Sequence, residues 1–213
     1  MKVLANVFMV VGMLALGYWS FLFVSARRYQ AEETRRFVTE HVTDNRAEPA
    51  SLDAISQSEP STTEAGLYPS TGSAVAMLAI PRLGLSAIVV EGAEERELKL
   101  GPGHIPGTSL PGDGGNVGLA GHRDTFFRQL RLIQKDDEIR LSTHEQEYQY
   151  KVVSTEIVGP DNVQVLHPIG HETLTLVTCY PFDFVGPAPK RFIVRADCAN
   201  CPQQKPIQTG GGR

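Results

Sequence analysis

Short runs of alternating apolar and polar residues fill the chain from about residue 74 to residue 197. Gly, Pro, Asn or Asp residues cluster between most of these runs, and alternation between turn residues is the pattern of a half-buried β-strand. Helical spacing is confined to Glu94–Lys99 and Thr125–Leu132. The predicted strands are Ala76–Ile80, Ala87–Glu91, Asn116–Ala120, Glu138–Ser142, Gln149–Val158, Leu174–Cys179 and Arg191–Ala196. Seven or eight strands in about 120 residues predict an all-β closed barrel or sandwich rather than a βαβ fold.

The first part of the chain has a different pattern, with no charged residue from Val3 to Ala26. A helix of this length spans roughly 36 Å, and the hydrocarbon core of a bilayer is about 30 Å thick. Residues 1–26 are therefore predicted to form a retained transmembrane anchor. A cleaved signal peptide is the alternative, since Val24-Ser25-Ala26 has the small residues of a cleavage site.

Residues 27–73 connect the apolar segment to the strands. Charged residues mix with aromatic ones up to about His41, which favours a short juxtamembrane helix, and the remainder is a polar, flexible linker. Basic residues are more frequent after the apolar segment than before it, so the positive-inside rule by itself places the domain in the cytosol. The net charge is −4, without the basic stripe of a nucleic-acid-binding protein, and no nucleic-acid partner is predicted.

Cys198 and Cys201 form a CxxC motif at the start of a tail, residues 198–213, that is predicted to be disordered. A structural disulfide or two inert thiols are favoured over redox catalysis, because Pro202 follows where a redox motif normally opens a helix. A zinc site needs two further ligands, which no nearby His or Cys supplies. The acidic run Asp136–Glu138 is interpreted as a solvated turn, since three carboxylates do not provide the six or more oxygens of a calcium site. No metal is predicted.

Cys179 stands alone at the end of one predicted strand, and Arg191 opens the next. In the first strand Leu174 and Leu176 share one face, while Cys179 lies on the other. If these leucines and the Phe192 and Val194 pair of the next strand both face the core, Cys179 and Arg191 emerge together on the outer side. A thiol beside a permanent positive charge is the arrangement of a nucleophile with an oxyanion partner. The alternative is a buried structural cysteine beside a surface arginine.

A thiol nucleophile also needs a proton partner. Among the six histidines, His122 is distinctive because it follows the apolar strand Asn116–Ala120 and precedes a segment of helical spacing. A loop held by a rigid strand is a common place for a catalytic group. Taken alone, His122 fits a surface or capping role equally well.

Four motifs together resemble one known family. They are Gly101-Pro102-Gly103-His104, Ala120-Gly121-His122-Arg123, Thr175-Leu176-Val177-Thr178-Cys179 and the downstream Arg191. With them, residues 74–197 closely resemble the sortase family of cysteine transpeptidases. The Ile80-Pro81-Arg82-Leu83 start and the run from Gly121 to Phe127 are most similar to class D and proteobacterial-type sortases. The resemblance implies a closed eight-stranded sortase-type β-barrel with short helices, preceded by an N-terminal transmembrane helix.

The resemblance also implies a location and a chemistry. The domain would lie outside the cytosol on a single-pass anchor in the cell membrane, which overrides the charge count. Cys179 would attack the carbonyl between Thr and Gly of an LPxTG-like C-terminal sorting signal on an exported protein. An amine of a cell-wall precursor or of a protein would then resolve the thioester. His122 would transfer the protons and Arg191 would stabilise the thiolate and the oxyanion, with no cofactor.

Thr178 and His104 lie within the matching motifs, and the resemblance gives them a role in substrate binding. On their own, Thr178 is a strand residue with high β-propensity and His104 a loop residue. Two other functions are compatible with the sequence. One is a cysteine hydrolase that passes the acyl group to water, and the other is a non-enzymatic barrel that binds an envelope partner, with Cys179 structural.

Overall fold

The computed structural model describes residues 9, 11–14, 28–35 and 69–201. Within this part, eight strands close into a barrel in the order β1-β2-β3-β4-β7-β8-β6-β5. The strands are β1 (Ala74–Ile80), β2 (Leu85–Glu91), β3 (Gly103–His104), β4 (Asn116–Gly121), β5 (Glu138–Ser142), β6 (Glu147–Val158), β7 (Thr173–Tyr180) and β8 (Lys190–Cys198). The predicted closed, eight-stranded barrel is confirmed. The strand absent from the sequence prediction is β3, whose two residues are too few to show an alternating pattern.

The described helices of the barrel region are short, as predicted. An α-helix at Glu95–Leu98 lies within the predicted segment Glu94–Lys99. The predicted segment Thr125–Leu132 contains a 3-10 helix at Arg128–Leu132. Two further 3-10 helices, Pro81–Leu83 and Val163–Leu166, were not predicted.

The core fills the barrel with alternate residues of the strands. On β7, Leu174 and Leu176 are fully buried, and on the neighbouring β8 so are Val194 and Ala196. Phe127, from the segment after β4, also belongs to this cluster. Each such large apolar side chain contributes about 1.5–3 kcal/mol when it is removed from water. The alternation predicted for β7 and β8 is therefore confirmed, with the leucines inside.

A helical segment at residues 28–35 docks on the barrel through the side-chain amide of Gln30. Gln30 Oε1 accepts a hydrogen bond from Ile88 N at 2.6 Å, and Gln30 Nε2 donates to Ile88 O at 3.1 Å and to Leu100 O at 2.8 Å. Ile88 lies in β2 just before β3 begins to pair with that strand. A Cβ on Gly101 would lie 2.7 Å from Gln30 Nε2, so the glycine leaves room for the amide. Gln30 thus extends the ladder of β2 where β3 is absent.

The start of β7 and the end of β8 form a buried polar cluster. The Glu172 carboxylate, 9% exposed, accepts hydrogen bonds from Tyr150 Oη at 2.7 Å and from Gly112 N at 3.1 Å. Burial and the adjacent carboxylate raise the pKa of the Tyr150 hydroxyl. A disulfide joins Cys198, the last residue of β8, to Cys201, so the folded part extends beyond the predicted boundary at residue 197. Of the two alternatives favoured from the sequence, this bond agrees with the structural disulfide rather than with two inert thiols.

The acidic run after the 3-10 helix pairs with basic side chains. Asp137 is 7% exposed and forms a bidentate ion pair with Arg82, while Asp136 lies 3.2 Å from the ammonium of Lys151. The Arg82 hydrogen bonds hold the pKa of the Asp137 carboxyl below its usual value. This turn therefore fixes the β1–β2 connection against the segment before β5.

The predicted anchor, residues 1–26, lies largely outside the described residues. Most of residues 27–73 and all of residues 202–213 lie outside them as well. No helix in the described part of the chain is long and apolar enough to cross a bilayer. The anchor stays a prediction from the sequence.

Candidate active site

The antiparallel pairing of β7 and β8 places Cys179 directly opposite Arg191. Residues opposite each other in an antiparallel pair point to the same side of the sheet. Because Leu176 and Val194 face the core from the same strands, Cys179 and Arg191 lie on the outer face of the barrel. The predicted common side for the thiol and the guanidinium is confirmed. Cys179 is a free thiol of intermediate exposure.

His122 reaches the same place from the strand on the other side of β7. β4 and β7 are parallel, and their last pair joins Gly121 to Thr178. His122 directly follows Gly121 and Cys179 directly follows Thr178, so the backbone positions of the histidine and the cysteine are neighbours. The ends of β4, β7 and β8 therefore bring the three predicted catalytic residues to neighbouring strand ends.

The turn after β4 is fixed by packing as well as by hydrogen bonds. Phe127 N donates to His122 O at 3.1 Å, and a Cβ on Gly121 would lie 2.6 Å from the Phe127 ring. Glycine at this position therefore allows the aromatic ring to close the turn from the core side. The His122 side chain is 32% exposed, and its Nε2 lies 3.8 Å from a carboxylate oxygen of Glu95.

The 3-10 helix Val163–Leu166 covers part of the outer face of the barrel, whereas the outer face at the end of β7 is partly exposed. Asn116 Nδ2 and Arg195 Nη2 each donate to Val165 O at 3.1 Å, which holds the 3-10 helix Val163–Leu166 over β4, β7 and β8. Thr175 beneath this segment is fully buried. Towards the end of β7, the side chains are of intermediate exposure at Val177 and at Cys179.

Arg191 contacts the connection between β7 and β8, residues 181–189, which we call the β7–β8 loop. Its Nη1 donates to Ala188 O at 3.2 Å and to Lys190 O at 3.0 Å. These bonds use one nitrogen, and a guanidinium has five N–H donors in a fixed plane. Arg191 is therefore anchored to its own loop while it presents further donors on the face that carries Cys179.

Thr178 and His104 are buried and bonded to protein groups. Thr178, 2% exposed, donates from Oγ1 to Gly121 O at 2.7 Å and so joins β7 to the end of β4. His104, 3% exposed, lies with Nδ1 2.7 Å from Glu91 Oε2 and Nε2 3.0 Å from Ser109 O. Neither side chain reaches the outer face. Their direct contact with substrate stays a prediction that this geometry does not support, and both residues brace the strands that carry the site.

Comparison with known proteins identifies the family. The sequence model of the sortase domain matches residues 78–199. The chain belongs to the sortase family. Sortases are cysteine transpeptidases, so the family agrees with a thiol nucleophile at the strand end.

Two relatives show how far the similarity of this sortase extends. Sortase D of Bacillus subtilis (strain 168) is 39% identical over 133 residues, which cover 62% of this chain and 67% of that protein. Sortase A of Bacillus anthracis is 29% identical over 135 residues and is matched over 62% of its length, less than two thirds. The similarity to a Sortase D agrees with the class D likeness predicted from the motifs.

Solved structures have the same barrel. A Clostridium perfringens Sortase D5 transpeptidase has a TM-score of 0.59 at 23% identity, covering 81% of this chain and 97% of that one, and shows the fold alone. Sortase C-1 from Actinomyces oris has a TM-score of 0.54 at 30% identity, covering 60% of this chain and 75% of that one. The sortase-type barrel predicted from the sequence is therefore confirmed.

Two residues beside the site were not predicted from the sequence. Glu95 approaches His122 from a helix distant along the chain, and no local pattern indicates such a contact. Arg123 follows His122 directly and binds the β7–β8 loop through its guanidinium. Its position next to the histidine was a visible signal, but the carbonyl groups that it binds are about sixty residues away.

Proposed function

We propose that this sortase is a transpeptidase in which Cys179 is the nucleophile, His122 the general acid and base, and Arg191 the oxyanion donor. The observation that carries the proposal is the strand pairing. Cys179 pairs with Arg191 across β7 and β8, and the register of β4 with β7 brings His122 next to it. A nucleophile, a proton carrier and a cationic donor on one exposed face are the groups that acyl transfer requires.

The first half-reaction breaks the substrate amide. Sγ of Cys179 bonds to the carbonyl carbon, and its proton passes to His122. Arg191 stabilises the negative charge on the carbonyl oxygen of the tetrahedral intermediate. The carbon–nitrogen bond then breaks, His122 gives the proton to the leaving amine, and an acyl thioester remains on Cys179.

The second half-reaction transfers the acyl group. An acceptor amine attacks the thioester carbonyl, and His122 takes the proton that this nitrogen loses. Arg191 again stabilises the oxyanion, the carbon–sulfur bond breaks, and the proton returns to the thiolate of Cys179. Two displacements with a thioester between them replace one difficult amide exchange.

The proposed substrate is the C-terminal sorting signal of an exported protein, of LPxTG type and cut between Thr and Gly. The proposed acceptor is an amine of a cell-wall precursor or of a protein in the envelope. The motif resemblance supports both assignments. The uncharged segment Val3–Ala26 supports a single-pass anchor in the cell membrane, with the barrel outside the cytosol.

A peptide assay tests the proposal and separates it from its alternatives. An LPxTG peptide is incubated with the wild-type protein and with Cys179→Ala, with and without a small primary amine such as triglycine. A transpeptidase cleaves the peptide, loses this activity in the variant, and yields an amide product when the amine is present. A hydrolase yields only the free acid under both conditions. A binding protein with a structural cysteine cleaves nothing, which contradicts the proposal.

A further inference from the structure

Arg123 holds the β7–β8 loop by three backbone carbonyl groups. Its Nη1 donates to Pro181 O at 3.1 Å, and its Nη2 donates to Phe184 O at 2.7 Å and to Gly186 O at 3.0 Å. The guanidinium also lies 5.8 Å from the centre of the Phe184 ring, within the range of a cation–π contact. One side chain from the turn after β4 therefore binds three positions of the loop between residues 181 and 186.

This loop connects the two strands that carry the thiol and the oxyanion donor. It begins two residues after Cys179 and ends two residues before Arg191. Three of its residues, at positions 181, 187 and 189, are prolines, which have no N–H for local hydrogen bonds. Inside the loop, Phe184 N donates to Pro181 O at 3.4 Å. Arg123 and Arg191 supply partners from outside the loop, the former at positions 181, 184 and 186 and the latter at Ala188 O.

The chemistry of arginine suits this role. A guanidinium is planar and always charged, and its forked donors bind several acceptors at once, whereas a lysine ammonium is a compact charge on a flexible stem. Carbonyl groups from three loop residues converge on the two terminal nitrogens of Arg123. Hydrogen bonds with one charged partner are stronger than neutral ones. A lysine at this position would keep the positive charge but lose the two forked nitrogens that bind the three carbonyl groups.

We propose that Arg123 is a positioning residue of the active site, which fixes the β7–β8 loop against the turn that carries His122. The inference rests on the proposed function of the three catalytic residues. Arg123 adjoins His122 in the chain, so a single residue links the proton carrier to the loop between Cys179 and Arg191. It touches no reacting atom and acts through the geometry of those three groups.

The test compares Arg123→Ala and Arg123→Lys with Arg131→Ala in the full chain. Arg131 is a matched control because it is exposed on the 3-10 helix Arg128–Leu132, on the same connection after β4. Three quantities are measured: amide hydrogen exchange in the loop, the rate of Cys179 labelling by iodoacetamide, and kcat and KM for the sorting peptide. Thermal unfolding confirms that each variant is folded.

For Arg123→Ala we expect at least tenfold faster exchange at the amide of Phe184, which donates to Pro181 O at 3.4 Å, with protection in β7 and β8 unchanged. Labelling of Cys179 changes at least threefold, because the released loop no longer fixes the surroundings of the thiol. The kcat for the peptide falls at least tenfold while KM changes less. Arg123→Lys recovers less than half of the lost kcat, and Arg131→Ala matches the wild type.

Two results overturn the inference. One is an Arg123→Ala variant whose loop exchange, labelling and kcat all stay within twofold of the wild type. The other is a loss of protection throughout the barrel together with a lower melting temperature, which assigns Arg123 to general stability. Failure of the proposed function is distinguishable, since the wild type then cleaves no sorting peptide. Exchange and labelling require no substrate and decide the inference in that case as well.

Discussion

The two ends of the β7–β8 pair differ in how their polar groups are satisfied. At one end Glu172 is buried, binds Tyr150 and the backbone of Gly112, and lies near the disulfide at Cys198. At the other end Cys179 is a free, partly exposed thiol. The same two strands thus pass from a closed polar cluster to an open site within the length of β7.

This comparison separates the end of the strand pair that stabilises the fold from the end that carries the reactive groups. A buried carboxylate with two donors and a disulfide ties the strands together at one end. At the site, side chains contact loop carbonyls instead, and Arg191 and Arg123 fix the β7–β8 loop from its two sides. Functional sites are commonly drawn from the less stable parts of a structure. We therefore expect substitutions to affect stability at the first end and rate at the second.

The largest expected effect comes from replacing the histidine at the open end by alanine, compared with the same replacement at the closed end. His122→Ala is expected to lower kcat/KM for the sorting peptide by about 10²–10⁴-fold, because it removes the general acid and base. His171→Ala is the matched control, since His171 is exposed and lies 3.2 Å from Asp197 beside the closed cluster. Peptide cleavage rates check both. Equal losses in the two variants would show that the comparison between the ends is wrong.

Glu172→Ala is expected to lower the free energy of unfolding by about 1–3 kcal/mol, since it leaves the buried Tyr150 hydroxyl and Gly112 N–H without their acceptor. Urea unfolding measures this change. The kcat of the folded variant stays within twofold of the wild type. Glu156→Ala, at an exposed position of β6, is the control and leaves stability unchanged. A Glu172→Ala protein of unchanged stability and lower kcat would reverse the roles of the two ends.

The same cluster predicts a loss of stability at alkaline pH. The pKa of Tyr150 is raised in the folded protein, so the folded state binds this proton more tightly than the unfolded chain does. The contribution of this bound proton to the free energy of unfolding is complete below the usual tyrosine pKa of about 10. It is lost as the pH rises above that value, by about 1.4 kcal/mol per pH unit. Urea unfolding between pH 9 and pH 11 compares the wild type with Tyr150→Phe. If the free energy of unfolding fell equally steeply with pH in the two proteins, groups other than Tyr150 would cause the loss of stability.

The smallest expected effect concerns the helical segment 28–35. Gln30→Ala removes the amide that bonds to Ile88 and Leu100, and is expected to lower the free energy of unfolding by about 0.5–1.5 kcal/mol. Amide exchange at Ile88 should rise at the same time. Gln129→Ala, an exposed glutamine on the 3-10 helix Arg128–Leu132, is the control. Unchanged exchange at Ile88 would show that the segment does not dock in solution.

Most of the barrel was predictable because its strands are long enough to show alternation. Leu174 and Leu176 on β7 repeat every second residue, and Cys179 keeps the register to the strand end. β3 was missed because two residues have no period, and the 3-10 helix Val163–Leu166 because tertiary contacts hold it in place. The number of residues over which an element shows a repeating pattern, rather than the secondary-structure propensity of those residues, decided whether it was predicted.

The site divides in the same way. Cys179 and Arg191 were placed on one face by strand parity, and the structure confirms this through their pairing. Contacts between residues distant in the chain leave no local pattern, which is why Glu95 and the loop contacts of Arg123 were not predicted. His104 shows the opposite limit, because a motif resemblance gave it a role that its burial does not support.

The most direct test of the account is mass spectrometry of the enzyme mixed with its substrate. Wild-type protein is mixed with an LPxTG peptide, quenched in acid, and digested to locate any added mass. If Cys179 is the nucleophile, we expect an acyl adduct on the peptide that contains Cys179, absent from Cys179→Ala and removed when triglycine is added before the quench. Cleavage of the peptide by the wild type with the adduct on another residue, or by Cys179→Ala at the wild-type rate, would contradict the assignment of Cys179 as the nucleophile.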